Sequence, residues 1–180
     1  MKRADVKKWL LLFLIGVTII GCSAKDAIDG TIDNIVHTIT GYWNNTAFNI
    51  PDNDSDGIDS TLSVDMHSDF KISSLYVRIN VHHQAVGDLK ISLTSPEGTS
   101  VDLIEYRGAN NSVNGLNFED NATTPIANYD TSIHTYKPEV PLSTFNEETP
   151  NGTWRLHVID SQPANTGHVS GWQLQIDAGS

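Results

Sequence analysis

Cysteine is nearly absent: Cys22 is the only one among 180 residues, and a lone thiol cannot form an intramolecular disulfide, so no disulfide framework staples this fold. Basic residues are scarce as well. Lysine and arginine total 11 against 22 aspartates and glutamates, for a formal net charge of −11, and Lys2, Arg3, Lys7 and Lys8 fall in a segment expected to be removed. A chain so poor in cations lacks the electrostatic footprint of a nucleic-acid binder. With 38% hydrophobic and 18% charged residues, it can bury one ordinary core, which sets the expected domain count at one. Long apolar runs are missing except near the start, where Trp9 to Ile20 is interrupted only by Gly16 and Thr18.

That run follows the basic stretch Met1 to Lys8 and stops at Gly21-Cys22-Ser23. Basic, apolar and then small is the order of a secretory signal, and the run is shorter than the roughly 20 residues a membrane span needs. Ile19-Ile20-Gly21-Cys22 resembles the bacterial lipobox, with Ile19 where leucine is commoner. The resemblance implies cleavage before Cys22 and acylation of that residue, so residues 1–21 are expected to be a lipoprotein signal peptide and 22–47 a lipidated tether. Several acyl chains, at about 0.8 kcal/mol per buried methylene, hold a protein to a bilayer far more firmly than one. By similarity to sorting rules in two-membrane envelopes, Ser23 after the cysteine points to the outer membrane, facing either the periplasm or the outside.

Within the tether, Ile28, Ile32, Ile35, Val36 and Ile39 are spaced as one face of a short helix, while their β-branched side chains make an isolated helix marginal. A docked helix and a loosely ordered spacer both fit. Beyond Phe48 the period becomes two. Leu62, Val64 and Met66 alternate with polar residues, as do Leu75, Val77, Ile79 and Val81, then Leu89, Ile91 and Leu93, then Val101 and Leu103, and finally Trp154, Leu156 and Val158 and Trp172, Leu174 and Ile176. Successive strand side chains point to opposite faces, so each set is a one-sided strand. Turn-forming segments separate them: Ser95-Pro96-Glu97-Gly98, Thr149-Pro150-Asn151-Gly152 and Asn165-Thr166-Gly167. Many one-sided strands need a second sheet to cover them, which predicts an all-β sandwich over residues 48–180. Glu105 to Thr149 reads as extended loops holding about two short strands.

Candidate site residues come from three patterns. Asp52-Asn53-Asp54-Ser55-Asp56-Gly57 has the alternating oxygens and pivoting glycine that begin an EF-hand Ca²⁺ loop, with Ser63 where the bidentate glutamate belongs. Adjacent His82 and His83 lie on opposite faces of one strand, so they cannot share an ion, and a structural hydrogen bond is the expected role of His83. Trp43, Tyr106, Tyr129 and Tyr136 could form a platform for a glycan or a protein, whereas Trp154 and Trp172 alternate with core residues and read as packing. Gly98-Thr99-Ser100 superficially matches a subtilase nucleophile motif, but Val101-Asp102 follows where alanine and proline belong, so a turn between two strands is expected there. No Gly-x-Ser-x-Gly elbow is present.

A set of phrases in fixed order resembles the P domain (P/Homo B domain) of kexin- and furin-type subtilisin-like proprotein convertases. They are Ile50-Pro51-Asp52, His83 with Gly87-Asp88-Leu89-Lys90-Ile91, Leu93 to Thr99, Phe118-Glu119-Asp120, Tyr136 to Ser143, Asn151 to Leu156, Asp160, and Gly167 to Trp172. The resemblance implies a jelly-roll-like, galactose-binding-domain-like sandwich that packs against a protease domain and carries no triad of its own. It also implies a possible Ca²⁺ role for Asp88, Asp120 and Asp160, with Asn165 standing where related sequences often have aspartate. The function expected is therefore a membrane-tethered, non-catalytic accessory module for a secreted serine protease acting in trans. A carbohydrate- or matrix-binding adhesin is the alternative, and a serine endopeptidase label would follow only by family association.

Overall fold

The alternating apolar sets become strands that face one another across a common core. The computed structural model describes residues 36–108 and 110–180. Cys22, the signal segment 1–21 and Ile28, Ile32 and Ile35 of the expected helix lie outside them. The strands are β1 (His37–Asn44), β2 (Phe48–Ile50), β3 (Asp54–Val64), β4 (Lys71–His83), β5 (Leu89–Thr94), β6 (Ser100–Glu105), β7 (Val113–Phe118), β8 (Thr135–Tyr136), β9 (Gly152–Asp160) and β10 (Gly167–Gly179).

Two sheets result. One runs β1-β10-β4-β7-β8 with β2 also paired to β10, and the other runs β3-β9-β5-β6. The pairs are antiparallel except β7 with β8. Val77, Ile79, Leu174 and Ile176 of the first sheet meet Ile91, Leu93, Leu156 and Val158 of the second in a single buried cluster. The β-sandwich is thus built as the period of two dictates, each fully buried aliphatic side chain contributing about 1.5–3 kcal/mol. Both core tryptophans have their indole N–H satisfied. Trp154 donates to the Pro150 carbonyl at 2.9 Å and Trp172 to the Ser60 hydroxyl at 2.9 Å.

Part of the expected tether is a strand of the sandwich. Residues 37–44, placed there with Val36 and Ile39 as a helical face, form β1, paired from His37↔Gly179 to Asn44↔Trp172. Thr38, Thr40 and Tyr42 favour extended backbone, and a full ladder with β10 outweighs a weak helical spacing. The sandwich therefore includes β1, ahead of the expected boundary at 48. On its inner side Asn44 donates to the Thr61 carbonyl at 2.8 Å and Tyr42 to the Asp65 carbonyl at 2.8 Å, lacing the first sheet to β3 and the loop after it. Its outer side leaves Ile39 and Trp43 exposed.

The stretch from Glu105 to Thr149 holds β7, β8 and two 3-10 turns, Ile126–Asn128 and Leu142–Phe145. Phe145 packs edge-on against Trp154, ring centroids 5.1 Å apart, which pins this loop-rich region to the core.

Candidate functional site

β4 ends in His82 and His83, whose side chains take opposite faces. His83 turns inward and meets Asp160, the last residue of β9; both side chains are fully buried, with Nε2 donating to Oδ2 at 3.0 Å. The other ring nitrogen, Nδ1, lies 2.8 Å from the Ala85 carbonyl and 3.2 Å from its N–H. The remaining Asp160 oxygen accepts the Gln162 N–H at 3.2 Å. A dry His–Asp pair is two-thirds of a nucleophilic triad. Here, however, both imidazole nitrogens are engaged, so none is left to take a proton from a hydroxyl. Ser100 is no partner for it: its hydroxyl accepts from Thr94 at 3.1 Å. Because β5 runs from Leu89, opposite Asp160, to Thr94, opposite Ser100, the serine sits roughly 17 Å along the strand from that pair. Gly98-Thr99-Ser100 is the turn into β6, closed by Ser95 N–H to the Thr99 carbonyl at 2.8 Å.

The acidic residues expected to gather around Ca²⁺ are spent on the backbone and on neighbouring amides instead. Asp88 accepts from the Asn165 side-chain amide at 2.9 Å, and its carbonyl accepts from Ser161 N–H at 3.0 Å. Asp52 accepts from Ala164 N–H at 3.3 Å. With Gln84 accepting from Thr166 N–H at 2.9 Å, these contacts hang the β9–β10 loop on three side chains. Asn165 supplies an uncharged donor to the Asp88 carboxylate. Asp120 is elsewhere: its two oxygens accept from the Leu142 and Ser143 N–H groups, both at 2.7 Å, at the start of a 3-10 turn. It follows β7, whose Phe118 pairs with Val77, well down β4 from His83.

Asp120 therefore stands apart from Asp88 and Asp160, which lie beside one another where Leu89 pairs with Asp160 and the Asp88 carbonyl accepts from Ser161 N–H. Asp52, Asp54 and Asp56 do not make an EF-hand loop. Asp54 and Asp56 belong to β3 and are joined by an Asp56 N–H to Asp54 carboxylate bond at 2.9 Å. Gly57, at φ 61°, serves a bulge in the β3–β9 register. Among the described residues no group of three or more His, Cys, Asp or Glu side chains is arranged to hold a metal.

The expected aromatic platform is also not assembled. Tyr136 is fully buried, its hydroxyl donating to the Asp130 carbonyl at 2.6 Å, because its alternation on β8 turns it into the core. Tyr129 stacks on it at 5.6 Å and donates to the Ser112 carbonyl at 2.8 Å. Burial pushes the Tyr129 phenol up to about 12. Tyr106 and Trp43 are exposed, but one follows β6 at the edge of the four-stranded sheet and the other lies on β1 at the edge of the six-stranded sheet.

What sequence reasoning missed is the partner of His82. Its ring stacks on that of His168, centroids 4.9 Å apart and planes 20° apart, because His82 and His168 are opposite one another in the β4–β10 ladder. The pair lines an open depression of about 660 Å³ with Asn49, Gln84 and Thr166. Eighty-odd residues separate the two histidines in sequence, and only the register brings them together.

Comparisons with known proteins accord with this architecture. A family model described as the proprotein convertase P-domain matches residues 72–176. Leupeptin-inactivating enzyme 1 of Streptomyces exfoliatus is 24% identical over 133 residues, 74% of this chain and 25% of that protein. The serine protease of Aeromonas sobria superposes with a TM-score of 0.54 at 18% identity, over 86% of this chain and 28% of that one. In complex with its chaperone, the same protease gives 0.54 at 17% identity, over 81% and 27%. The chain thus spans about a quarter of the length of these relatives, and at such identities the structural likeness speaks for the fold. The family match runs from β4 into β10 and covers more than half of the sequence, so this chain belongs to the proprotein convertase P-domain family.

Proposed function

We propose that the chain is a non-catalytic accessory module that binds and stabilises a secreted serine protease in trans, held at the cell envelope by a lipid on Cys22. The observation that carries this reading is the state of the His83–Asp160 pair. It is the site that most resembles catalytic machinery, and its nitrogens and oxygens are committed to neighbours within the sandwich. What remains for function is the outer surface of a P-domain sandwich, and a domain of this family acts by packing against a protease. The similar Aeromonas sobria serine protease forms a complex with a chaperone, which supports the association of a secreted protease with a separate accessory chain.

The lipid anchor is the second part of the proposal. It rests on Ile19-Ile20-Gly21-Cys22 following a basic and apolar leader, with Ser23 favouring the outer membrane. Acylation would confine the module to a surface past which secreted enzymes travel, and so raise its effective concentration near them.

Two measurements test the proposal. The native chain should fractionate with envelope membranes while Cys22→Ala releases it; equal partitioning of both would remove the anchor. A secreted serine protease from the same cell should copurify with the full chain through an interface of about 1,200–2,000 Å². Failure of every such protease to bind would remove the accessory role.

A further inference from the structure

The outer face of the six-stranded sheet carries a row of side chains with metal-binding chemistry. Register places Asn49 of β2 opposite His168 of β10, His168 opposite His82 of β4, and His82 opposite Asn114 of β7. All four belong to the outward set, since their neighbours Ile50, Val169, Val81 and Val113 are buried. Directly opposed strand residues have Cβ atoms about 4.5–5.5 Å apart, a spacing from which two imidazoles can converge on one point. The two rings already stack at 4.9 Å. Unlike His83, whose nitrogens are both engaged, neither ring has a hydrogen-bond partner among the described residues.

We infer that His82 and His168 form a two-histidine site for a borderline divalent transition metal, of the Zn²⁺, Cu²⁺ or Ni²⁺ class. Neutral imidazole is a preferred ligand of these ions, whereas Ca²⁺ and Mg²⁺ take oxygen donors. With metal–nitrogen bonds of about 2.0–2.1 Å, two tetrahedral ligand nitrogens stand roughly 3.3 Å apart. A turn of the exposed His168 ring out of its stack achieves this, while the backbone under it stays fixed. β10 and β4 are central strands, paired on both sides at this level, so the two Cα positions are held by hydrogen-bonded neighbours and little ordering is needed on binding.

The surroundings suit a cation. The depression holding the pair has no lysine or arginine in its described wall; Arg78 lines the adjoining hollow that shares His82, with its Nε donating to the Asn80 side-chain oxygen at 3.3 Å, and the chain as a whole carries a formal charge of −11. Asn49 and Asn114, flanking the histidines in register, are placed to accept from the second ring nitrogens and so fix the ligand tautomer. Two protein ligands leave coordination positions open to water or to a donor from a docked protein. The site is independent of the aspartates weighed for Ca²⁺ and of the proposed protease partnership.

The test uses the full, untagged chain in mild detergent, titrated calorimetrically with ZnCl₂ and with CuSO₄. One ion should bind per chain with micromolar affinity, and His82→Ala or His168→Ala should each weaken binding by about tenfold or more. Both side chains lie outside the core, so the variants keep the native circular dichroism. His157→Ala, which removes a histidine already paired with Asp59 at 2.7 Å, should leave binding unchanged. In NMR spectra Cu²⁺ should broaden the His82 and His168 ring signals together. The inference is overturned if the native chain takes up neither metal, if either single variant still binds as the native chain does, or if binding is lost with His157.

Discussion

Removing the Asp160 carboxylate is the most informative perturbation of this fold. In the native chain it lies 3.0 Å from His83 Nε2, both side chains with no exposure to water. Asp160→Ala leaves the buried imidazole N–H without an acceptor and frees the Gln162 N–H, which donates to the other carboxylate oxygen at 3.2 Å. Breaking a dry pair from one side costs about 3–5 kcal/mol, because the surviving partner stays desolvated. For a domain of this size that is a fall in Tm of about 6–20 °C, out of a total stability of about 5–15 kcal/mol. Asp160→Asn keeps the shape and one carbonyl oxygen, so its cost should be smaller, about 1–3 kcal/mol. Urea unfolding followed by circular dichroism, with matched slopes, reads these differences. A loss below about 1 kcal/mol in Asp160→Ala would refute the reasoning, since it would mean that His83 finds water or another acceptor at no cost.

Further outcomes follow from the same geometry. Ser60→Ala removes the acceptor of the buried Trp172 indole N–H and should destabilise by about 1–3 kcal/mol in the same urea assay. Gly167→Ala places a Cβ 2.3 Å from the His82 carbonyl and 2.9 Å from the His83 Cα; both are backbone atoms of β4, so the strands must part, at a cost of about 1–3 kcal/mol. Tyr129 is held up to about 12 by burial, above its ordinary value, so its contribution to stability is complete below pH about 10 and is lost as pH rises toward 12. Absorbance titration should show a late-ionising tyrosine that disappears in Tyr129→Phe. Thermal unfolding in excess EDTA and in millimolar Ca²⁺ should coincide, because the aspartates are committed to backbone and amide donors. A rise in Ca²⁺ that is lost in Asp88→Ala would show a site that this arrangement does not assemble.

The strands most legible in the sequence are the central ones. Leu75, Val77, Ile79 and Val81 alternate without interruption because β4 has one face on the core and one in solvent, and the same holds for β5, β9 and β10. β1 is hidden for the opposite reason. At a sheet edge its inward residues are Thr38, Thr40, Tyr42 and Asn44, half-buried rather than apolar, while its exposed Ile39 completes a misleading helical spacing. Tyr136 is misread because β8 is two residues long, too short to display a period. The acidic residues are plain in the sequence, but what they bind is set by pairings far apart in the chain. Asp88 meets Asn165, and Asp120 meets the turn at Leu142. The His82–His168 pair depends wholly on the β4–β10 register, which no local pattern encodes.

The proposed support of a serine protease in trans is read out by the thermal inactivation rate of the cell's secreted serine protease with and without the full chain. A saturating amount of native chain should slow inactivation several-fold, and Asp160→Ala, assayed above its own unfolding temperature, should give no protection. Inactivation at the same rate with and without the native chain would contradict it.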